Sequence, residues 1–172
     1  ADSASPAELA ADYIDAEKGV ETVEDAINGA MDIIAENISD DADIRRRLRS
    51  LFTVAGVLQS RAADSEKESV YTMYYEYDEP VNKIAGHRVL AVNRGENEGF
   101  LKVGIDVDRI KALNIINANV LSDNGSACTD TVRDAAADAY DRLIFPSVER
   151  EIRNMITDSA VESALKVFYV NL

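Results

Sequence analysis

The chain has 172 residues, 47% of them hydrophobic and 29% charged, which fits one ordinary domain or two small helical lobes and excludes a disordered tail. No run of 18 apolar residues occurs, so we expect no membrane partner. Acidic residues outnumber basic ones by 32 to 18, and with a formal net charge of −14 we expect any contact with nucleic acid to come from a local basic patch or from parts of the protein outside this chain.

The N-terminal segment 1–56 predicts a lobe of three helices, and the first of them has a well-marked beginning. Ser5 is in the position of a capping residue, Pro6 follows at the first helical position, and Glu8 lies three residues after the cap. This arrangement is a capping box, in which side chains satisfy free backbone N–H groups of the first turn. We expect this helix to continue up to Gly19 and to end there.

The second and third predicted helices follow the same rules. Thr22 caps the second helix, with Asp25 three residues later, and apolar residues at steps of three or four predict one face packed in a core. Those apolar residues are Val23, Ile27, Ala30, Ile34 and Ile38. We expect Ser39 to cap the third helix, with aspartates in its first turn, and Gly56 to end it.

Residues 57–107 predict a less regular segment. We expect residues 57–62 to form a short strand or an extended connector, and residues 69–78 to form a tyrosine-rich helix. Residues 86–95 predict a short buried helix that ends at its last glycine. The alternation of apolar residues in 100–107 predicts a strand, and its evident partner is the first strand of this segment, so we expect two paired strands.

The chain after residue 107 predicts helices again. We expect helices at 108–120 and 129–144 around a polar loop at 122–126, and two further helices that begin near Pro146 and Thr157. The apolar stripe of the final helix consists of Val161, Ala164, Leu165, Phe168 and Leu172. Because this stripe is still running at the last residue, we expect the protein to continue into another domain.

The predicted fold class is mainly α, with multi-helix, bundle-like lobes and a minor two-stranded β element. We divide the chain into an N-terminal three-helix lobe at 1–56, a mixed segment at 57–107 and a C-terminal helical segment at 108–172. The single cysteine, Cys128, has no partner for an internal disulfide and suits a reducing cytoplasm, where we expect the protein to be located.

His87 and Arg88 are the first residues to weigh as a site. General acid–base catalysis by a histidine requires a positioned partner and a pocket, and the sequence identifies neither. A hydrolase that uses His87 with an acidic partner is therefore the weaker alternative, and we expect a chain without enzymatic activity. The lone histidine and lone cysteine lie too far apart for zinc-ligand spacing, and the sequence contains no P-loop, GxGxxG motif or nucleophile elbow, so we expect no metal, cofactor or small-molecule substrate.

Basic residues cluster in the predicted third helix, at Arg45, Arg46, Arg47 and Arg49. Their guanidinium groups suit phosphate or an acidic protein surface, but aspartates lie one turn away and we favour internal pairing. The candidate contacts with nucleic acid or a partner are Arg45, Arg46, Arg49, His87, Arg88 and Arg94. A second cluster interleaves with glutamates, which again favours local pairing, and it consists of Arg142, Arg150 and Arg153.

Several blocks of sequence, in the same order, resemble the Tex family of bacterial transcription accessory proteins. The central blocks are YYEYDEP at 74–80, IAGHRVLA at 84–91 and NRGE at 93–96. The outer blocks are EKGVETVEDA at 17–26, RLIFPSVEREIR at 142–153, ALKVF at 164–168 and the terminal Asn171-Leu172. The likeness covers nearly the whole chain. One departure is Ala85-Gly86 before His87, where many relatives carry Pro-Ser.

The resemblance implies an internal segment of a longer protein, between an N-terminal helix-turn-helix region and an RNase H-like domain. In the family, helix-hairpin-helix elements and a C-terminal OB-fold RNA-binding domain follow. Family members bind nucleic acid and are linked to transcription, so the implied partners of the full-length protein are RNA or DNA and the transcription machinery. The implied role of this chain is a helical scaffold and interaction segment. The alternative is a helical module that binds nucleic acid by itself.

Overall fold

A computed structural model of the chain describes residues 4–121 and 125–170. Its α-helices are α1 (Pro6–Ala10), α2 (Val23–Asp40), α3 (Ala42–Ala55), α4 (Gly86–Asn97), α5 (Arg109–Val120), α6 (Thr129–Asp138) and α7 (Phe145–Val170). Its strands are β1 (Val57–Ala62), β2 (Glu76–Pro80) and β3 (Leu101–Asp106). The predicted mainly α fold class is confirmed. Most of the loop predicted at 122–126, and Leu172 of the final predicted stripe, lie outside the described residues.

The first helix is shorter than predicted. The capping box forms as expected, since the backbone N–H of Ser5 donates to the Glu8 carboxylate at 2.8 Å and the N–H of Glu8 donates to the Ser5 hydroxyl at 3.3 Å. The α-helix ends at Ala10, however, and two 3₁₀ turns follow it. Asp15 does not continue the predicted helix, since its backbone forms a β-bridge with Val20. Gly19, with φ of 80°, ends the second turn.

The start of the third helix also differs from its prediction. Asp41, and not Ser39, caps α3, because its carboxylate accepts from the backbone N–H groups of Asp43 at 2.9 Å and Ile44 at 2.8 Å. Ser39 belongs to α2, where its hydroxyl donates to the Glu36 carbonyl. Both residues are capping types, and the sequence pattern does not choose between them.

The sheet has three antiparallel strands in the order β2-β1-β3, so the prediction of two strands was wrong. The predicted pairing of the first and last strands is confirmed, with Val57 opposite Asp106 and Ala62 opposite Leu101. The strand that we missed, β2, was predicted as the end of a tyrosine-rich helix. It pairs instead with the free side of β1, where Ser60 lies opposite Tyr77.

The tyrosine-rich segment is mainly a packing element. Thr72–Tyr74 form one 3₁₀ turn, and Tyr71 and Tyr74 are each 6% exposed. Their rings pack in a hydrophobic cluster with Leu58, Val92 and Leu101. Burial of these rings favours a turn followed by a strand, although the spacing of the tyrosines by itself fits a helical face.

The C-terminal helices are fewer than predicted, and the last of them is longer than predicted. Residues Ala139–Ile144 form a π-helical turn after α6, and α7 then runs without a break through the predicted start at Thr157. Pro146 lies in the first turn of α7 as expected. Proline lacks a backbone N–H, so it removes one intrahelical hydrogen bond at the point where the wide turn meets α7. The hydroxyl of Thr157 donates to the Arg153 carbonyl, within the helix.

Two units of the chain pack internally, and each joins stretches that are distant in sequence. Unit 1 comprises Ala1–Arg47 and Arg109–Pro146, and contains α1, α2, α5 and α6. Unit 2 comprises Leu48–Asp108 and Ser147–Leu172, and contains the sheet, α4 and most of α7. The predicted division into segments 1–56, 57–107 and 108–172 follows chain order, and it stays a prediction. Most of the excess negative charge belongs to unit 1.

In unit 1, α2 packs against α6 through small side chains. Ala35 of α2 and Ala135 and Ala136 of α6 are fully buried, and alanine lets two helix backbones approach closely. The apolar stripe predicted for α2 is only partly in this core. Ile38 is buried, whereas Ala30 is exposed, so part of the stripe faces an open groove.

Candidate contact sites

The arginines of α3 are held by internal contacts, as we favoured. Arg46 and Arg47 both pair with Asp43, Arg47 at 2.8 Å. Arg45 donates to the Ser39 carbonyl at 3.1 Å, and the guanidinium of Arg49 pairs with the Glu151 carboxylate of α7 at 2.5 Å. Each exposed ion pair contributes little stability, but each reduces the positive charge that its arginine presents to phosphate.

The candidate residues of α4 divide into one that is paired and two that are not. Arg88 donates to Glu79 of β2 at 3.0 Å and lies over the ring of Tyr77, whose hydroxyl also donates to Glu79. His87 and Arg94 are exposed, and neither has an acidic partner within salt-bridge distance in the described part of the chain. The predicted contacts on α4 therefore do not converge on one site.

A groove of about 440 Å³ lies beside the N-terminus of α4, within unit 2. Gly86 and Val89 of α4 and Ser159 and Ala160 of α7 contribute to its wall, and Lys83 is the one titratable side chain among the described residues that line it. His87 is not part of this wall. The geometry therefore brings no acid–base pair to His87, and the hydrolase alternative gains no support from it. No described group of His, Cys, Asp and Glu is arranged to hold a metal ion.

The best-formed polar cluster is one that we did not predict, and it centres on Arg153 of α7. Its guanidinium donates to both carboxylate oxygens of Glu96, to the Asn93 side chain at 3.1 Å and to the Val103 carbonyl at 3.1 Å. The Asn93 amide in turn donates to the Thr157 hydroxyl at 2.8 Å. Arg153 is 22% exposed and Glu96 is 33% exposed. This cluster joins α4, β3 and α7, and its role is structural.

Only a weak signal for this cluster is present in the sequence. Glu96 and Asn93 are three residues apart, as are two residues on one face of a helix, and they lie in a block that resembles the Tex family. We predicted that Arg153 pairs with glutamates close to it in sequence. That prediction was wrong, because the polypeptide folds a more distant glutamate against it. Glu149 instead accepts from the Ile105 backbone N–H of β3 at 2.8 Å.

In unit 1, Arg109 and Asp141 form a bidentate ion pair, with distances of 2.9 and 2.7 Å. The hydrogen bonds from Arg109 lower the pKa of Asp141, partial burial opposes this effect, and the positive charge of Arg109 adds to it. Hydrogen bonds from the hydroxyl and the backbone N–H of Thr22 likewise lower the pKa of Asp25. Such carboxyl groups hold fewer protons in the folded state than in the unfolded state.

These carboxyl groups predict a loss of stability in acid. Their contribution is present above the unfolded carboxyl pKa of about 4 and is lost as the pH falls through the lower pKa of the folded state. We expect Asp141→Asn to lower the free energy of unfolding at pH 7 by about 0.5 kcal/mol, since the pair is half exposed, and to flatten its fall between about pH 5 and pH 2. Urea denaturation followed by circular dichroism at several pH values measures both effects.

The control for this prediction is Asp134→Asn on α6. Asp134 is exposed and has no basic partner among the described residues. The Asp134→Asn variant should leave the pH dependence of the free energy of unfolding unchanged. If the free energy of unfolding fell with the same slope against pH in both variants, the Arg109–Asp141 pair would make no contribution.

A second groove, of about 480 Å³, lies within unit 1 and is almost entirely hydrophobic. We call it the unit 1 groove. Leu9 and Tyr13 line it from the N-terminal segment, Ile27 and Ile33 line it from α2, and Val132 lines it from α6. The sequence carried a signal for it that we interpreted as core, namely the apolar stripe of α2.

The comparison with known proteins decides the family. The model of the family described as Tex central region-like matches residues 1–168. The chain belongs to the Tex central region-like family. The resemblance that we based on sequence blocks is therefore confirmed.

Relatives of this Tex-like chain are much longer than it is. The chain is 42% identical to YdcI of Bacillus subtilis over 93% of its length, and 30% identical to the transcriptional accessory protein Tex of Neisseria gonorrhoeae over 86%. It is 28% identical over 90% of its length to human S1 RNA-binding domain-containing protein 1. It spans only 23%, 20% and 17% of these three relatives, respectively. Among the described residues, the helices lack an apolar stretch of the length that crossing a bilayer requires.

Proposed function

We propose that this chain is the helical scaffold and interaction segment of a Tex-like transcription accessory protein, and that nucleic-acid binding belongs to the full-length protein. The pairing of the α3 arginines carries the proposal. Arg46 and Arg47 share Asp43, and Arg49 is held by Glu151, so three of the four guanidinium groups in the densest basic cluster are already engaged in internal ion pairs. The net charge of −14 further opposes contact with phosphate.

The names of the relatives support the wider setting. One is named a transcriptional accessory protein, and another is named for an S1 RNA-binding domain. We extend these properties to the protein that contains this chain, with RNA or DNA and the transcription machinery as its partners and the cytoplasm as its location. We place the segment before an RNase H-like domain, and we assign it no catalytic step.

The test is a fluorescence-anisotropy titration of the chain against labelled single-stranded RNA and duplex DNA. At an ionic strength of about 0.15 M, where the Debye length is about 8 Å, we expect no saturable binding by the chain. The full-length protein should bind under the same conditions. Tight binding by the chain alone would contradict this division of labour, and absence of binding by the full-length protein would contradict the nucleic-acid role.

The second candidate is a helical module that binds nucleic acid by itself. It is favoured by exposed cations of unit 2 that have no acidic partner within salt-bridge distance among the described residues. These are Lys83, Arg94, Lys102 and Arg150. If this candidate holds, Arg94→Glu or Arg46→Glu should weaken binding and reduce the slope of log K against log salt by about one for each phosphate that is no longer neutralised. An unchanged slope in both variants excludes those two residues as contacts.

A further inference from the structure

The unit 1 groove is an open hydrophobic surface. Tyr13 at its edge is 74% exposed, Ile33 is 61% exposed and Leu9 is 46% exposed. Single exposed apolar side chains are ordinary on protein surfaces, but several that line one groove mark an interaction site. The exposure of the wall also distinguishes this groove from an enclosed small-molecule pocket, which buries most of its ligand.

Asp25 lines the groove, and further exposed acidic residues lie on the same elements that form its wall; we call these residues together the acidic border. Asp25, Asp32 and Glu36 follow one another on α2 at spacings of seven and four, so they lie along one side of that helix, and Asp25 is among the lining residues. On α6, Asp134 lies three residues after the lining residue Thr131. Asp12 of the first 3₁₀ turn is also exposed.

Basic residues close to the groove offset only part of this negative charge. Arg133 of α6 pairs with Asp130 at 2.6 Å, and Arg142 pairs with Asp138 at 2.9 Å and with Asp32 at 3.1 Å. Glu36 and Asp134 have no basic partner among the described residues. The border therefore combines an apolar wall with unneutralised carboxylates, and it selects a ligand that is both apolar and positively charged.

We propose that the unit 1 groove binds a basic amphipathic helix of a partner protein. Its apolar residues, at spacings of three and four, would contact Leu9, Ile33 and Val132, and its lysines or arginines would face the carboxylates of α2 and α6. An amphipathic helix laid in a hydrophobic groove is a common mode of peptide recognition. This proposal goes beyond the scaffold role and does not depend on nucleic-acid binding by the full-length protein.

The charge pattern argues against two other occupants. Nucleic acid is repelled by the acidic border. A second copy of the chain would offer the exposed stripe of α7, in which Val161 is 44%, Leu165 is 51% and Phe168 is 60% exposed. That stripe has no excess of positive charge, because Lys166 is paired with Glu162 at 2.7 Å.

The test uses the chain with a synthetic helical peptide of about 18 residues, long enough to form a helix, that carries leucines on one face and lysines on the other. Cys128 is the single cysteine and lines the groove, so its reaction with a maleimide reports occupancy. We expect saturable binding by anisotropy, and slower modification of Cys128 in the presence of the peptide. A scrambled peptide of the same composition, and a peptide with glutamate in place of lysine, should do neither.

Matched variants locate the contact. Ile33→Glu should weaken peptide binding at least about tenfold, since it removes an apolar contact with the peptide and places a charge against its leucines. Ile110→Glu is the control, because Ile110 is an isoleucine of the same unit, 71% exposed on α5, that does not line the groove. It should change the affinity less than about twofold. Because both isoleucines are exposed, we expect both variants to fold, and circular dichroism checks this.

Three results would overturn the proposal. If the scrambled peptide bound equally well, charge alone would account for the binding and the amphipathic helix would not be required. Equal effects of Ile33→Glu and Ile110→Glu would remove the groove as the site. A dimer of the chain in light scattering that Ile33→Glu dissociates would assign the groove to a second copy. None of these results bears on RNA or DNA binding by the full-length protein, so the two proposals fail independently.

Discussion

Replacement of Arg153 by methionine should lower the free energy of unfolding by about 3 kcal/mol, since it leaves the partners of a largely buried guanidinium without their donor. Arg153 donates to Glu96, Asn93 and the Val103 carbonyl, and only 22% of its side chain is exposed. Methionine retains the apolar stem, so the change removes mainly the hydrogen bonds and the charge. Urea denaturation followed by circular dichroism measures the effect.

Arg150→Met is the control, because Arg150 lies on the same helix, is exposed and has no acidic partner in the described residues. Its effect should stay within about 0.5 kcal/mol of wild type. Combining Arg153→Met with Glu96→Met should cost less than the sum of the two single changes, since the double variant leaves no unpaired charge. Equal stabilities of Arg153→Met and Arg150→Met would show that the cluster contributes nothing to the fold.

Gly95→Ala should destabilise unit 2 by about 2 kcal/mol or more, because overpacking outweighs the gain in helix propensity. A Cβ at Gly95 would lie 2.6 Å from Cδ1 and 2.9 Å from Cγ of Leu101, and 3.0 Å from the ring of Tyr71. Both neighbours are buried in the hydrophobic cluster, so neither has free space to move into. Thermal unfolding followed by circular dichroism gives the comparison.

Gly29→Ala on α2 is the matched control, since Gly29 is also a helical glycine, but apart from its adjacent residues and the neighbouring backbone of its own helix no described atom lies within 4 Å of the position that its Cβ would occupy. The variant gains the same helix propensity without a clash, and we expect it to be more stable than wild type by about 0.5–1 kcal/mol. If Gly95→Ala stabilised the protein, α4 and β3 would be able to move apart without a cost in free energy. The difference between the two variants isolates the packing of α4 from its intrinsic propensity.

Gly95 also shows how one residue type serves two different purposes. We predicted that it ends its helix, yet α4 continues to Asn97, and Gly95 is itself buried. The glycine is required by the approach of Leu101 and Tyr71, not by a helix end. A sequence pattern reports that a glycine is present, but only the atoms that surround its Cα give the reason.

The ion pairs of the candidate contact residues also divide into those that sequence spacing predicts and those that only packing reveals. The acidic composition and the aspartates beside the α3 arginines were sufficient to favour internal pairing, because helical spacing brings Asp43 within reach of Arg46 and Arg47. Spacing could not identify Glu151 as the partner of Arg49 or Glu79 as the partner of Arg88. Those pairs join different elements, and their geometry depends on how the elements pack.

The sequence by itself determined the helical character of the chain, its capping box at Ser5, the pairing of β1 with β3 and its membership of the Tex family. These features depend on local backbone chemistry, on periodicity or on the identity of residues in order. Tertiary structure alone decided the third strand, the continuous α7, the Arg153 cluster and the unit 1 groove. An extended segment becomes a strand only when a partner strand satisfies its backbone, and an apolar stripe becomes core or groove according to what covers it. The apolar stripe of α2 could therefore be predicted from the sequence, but its partial exposure could not.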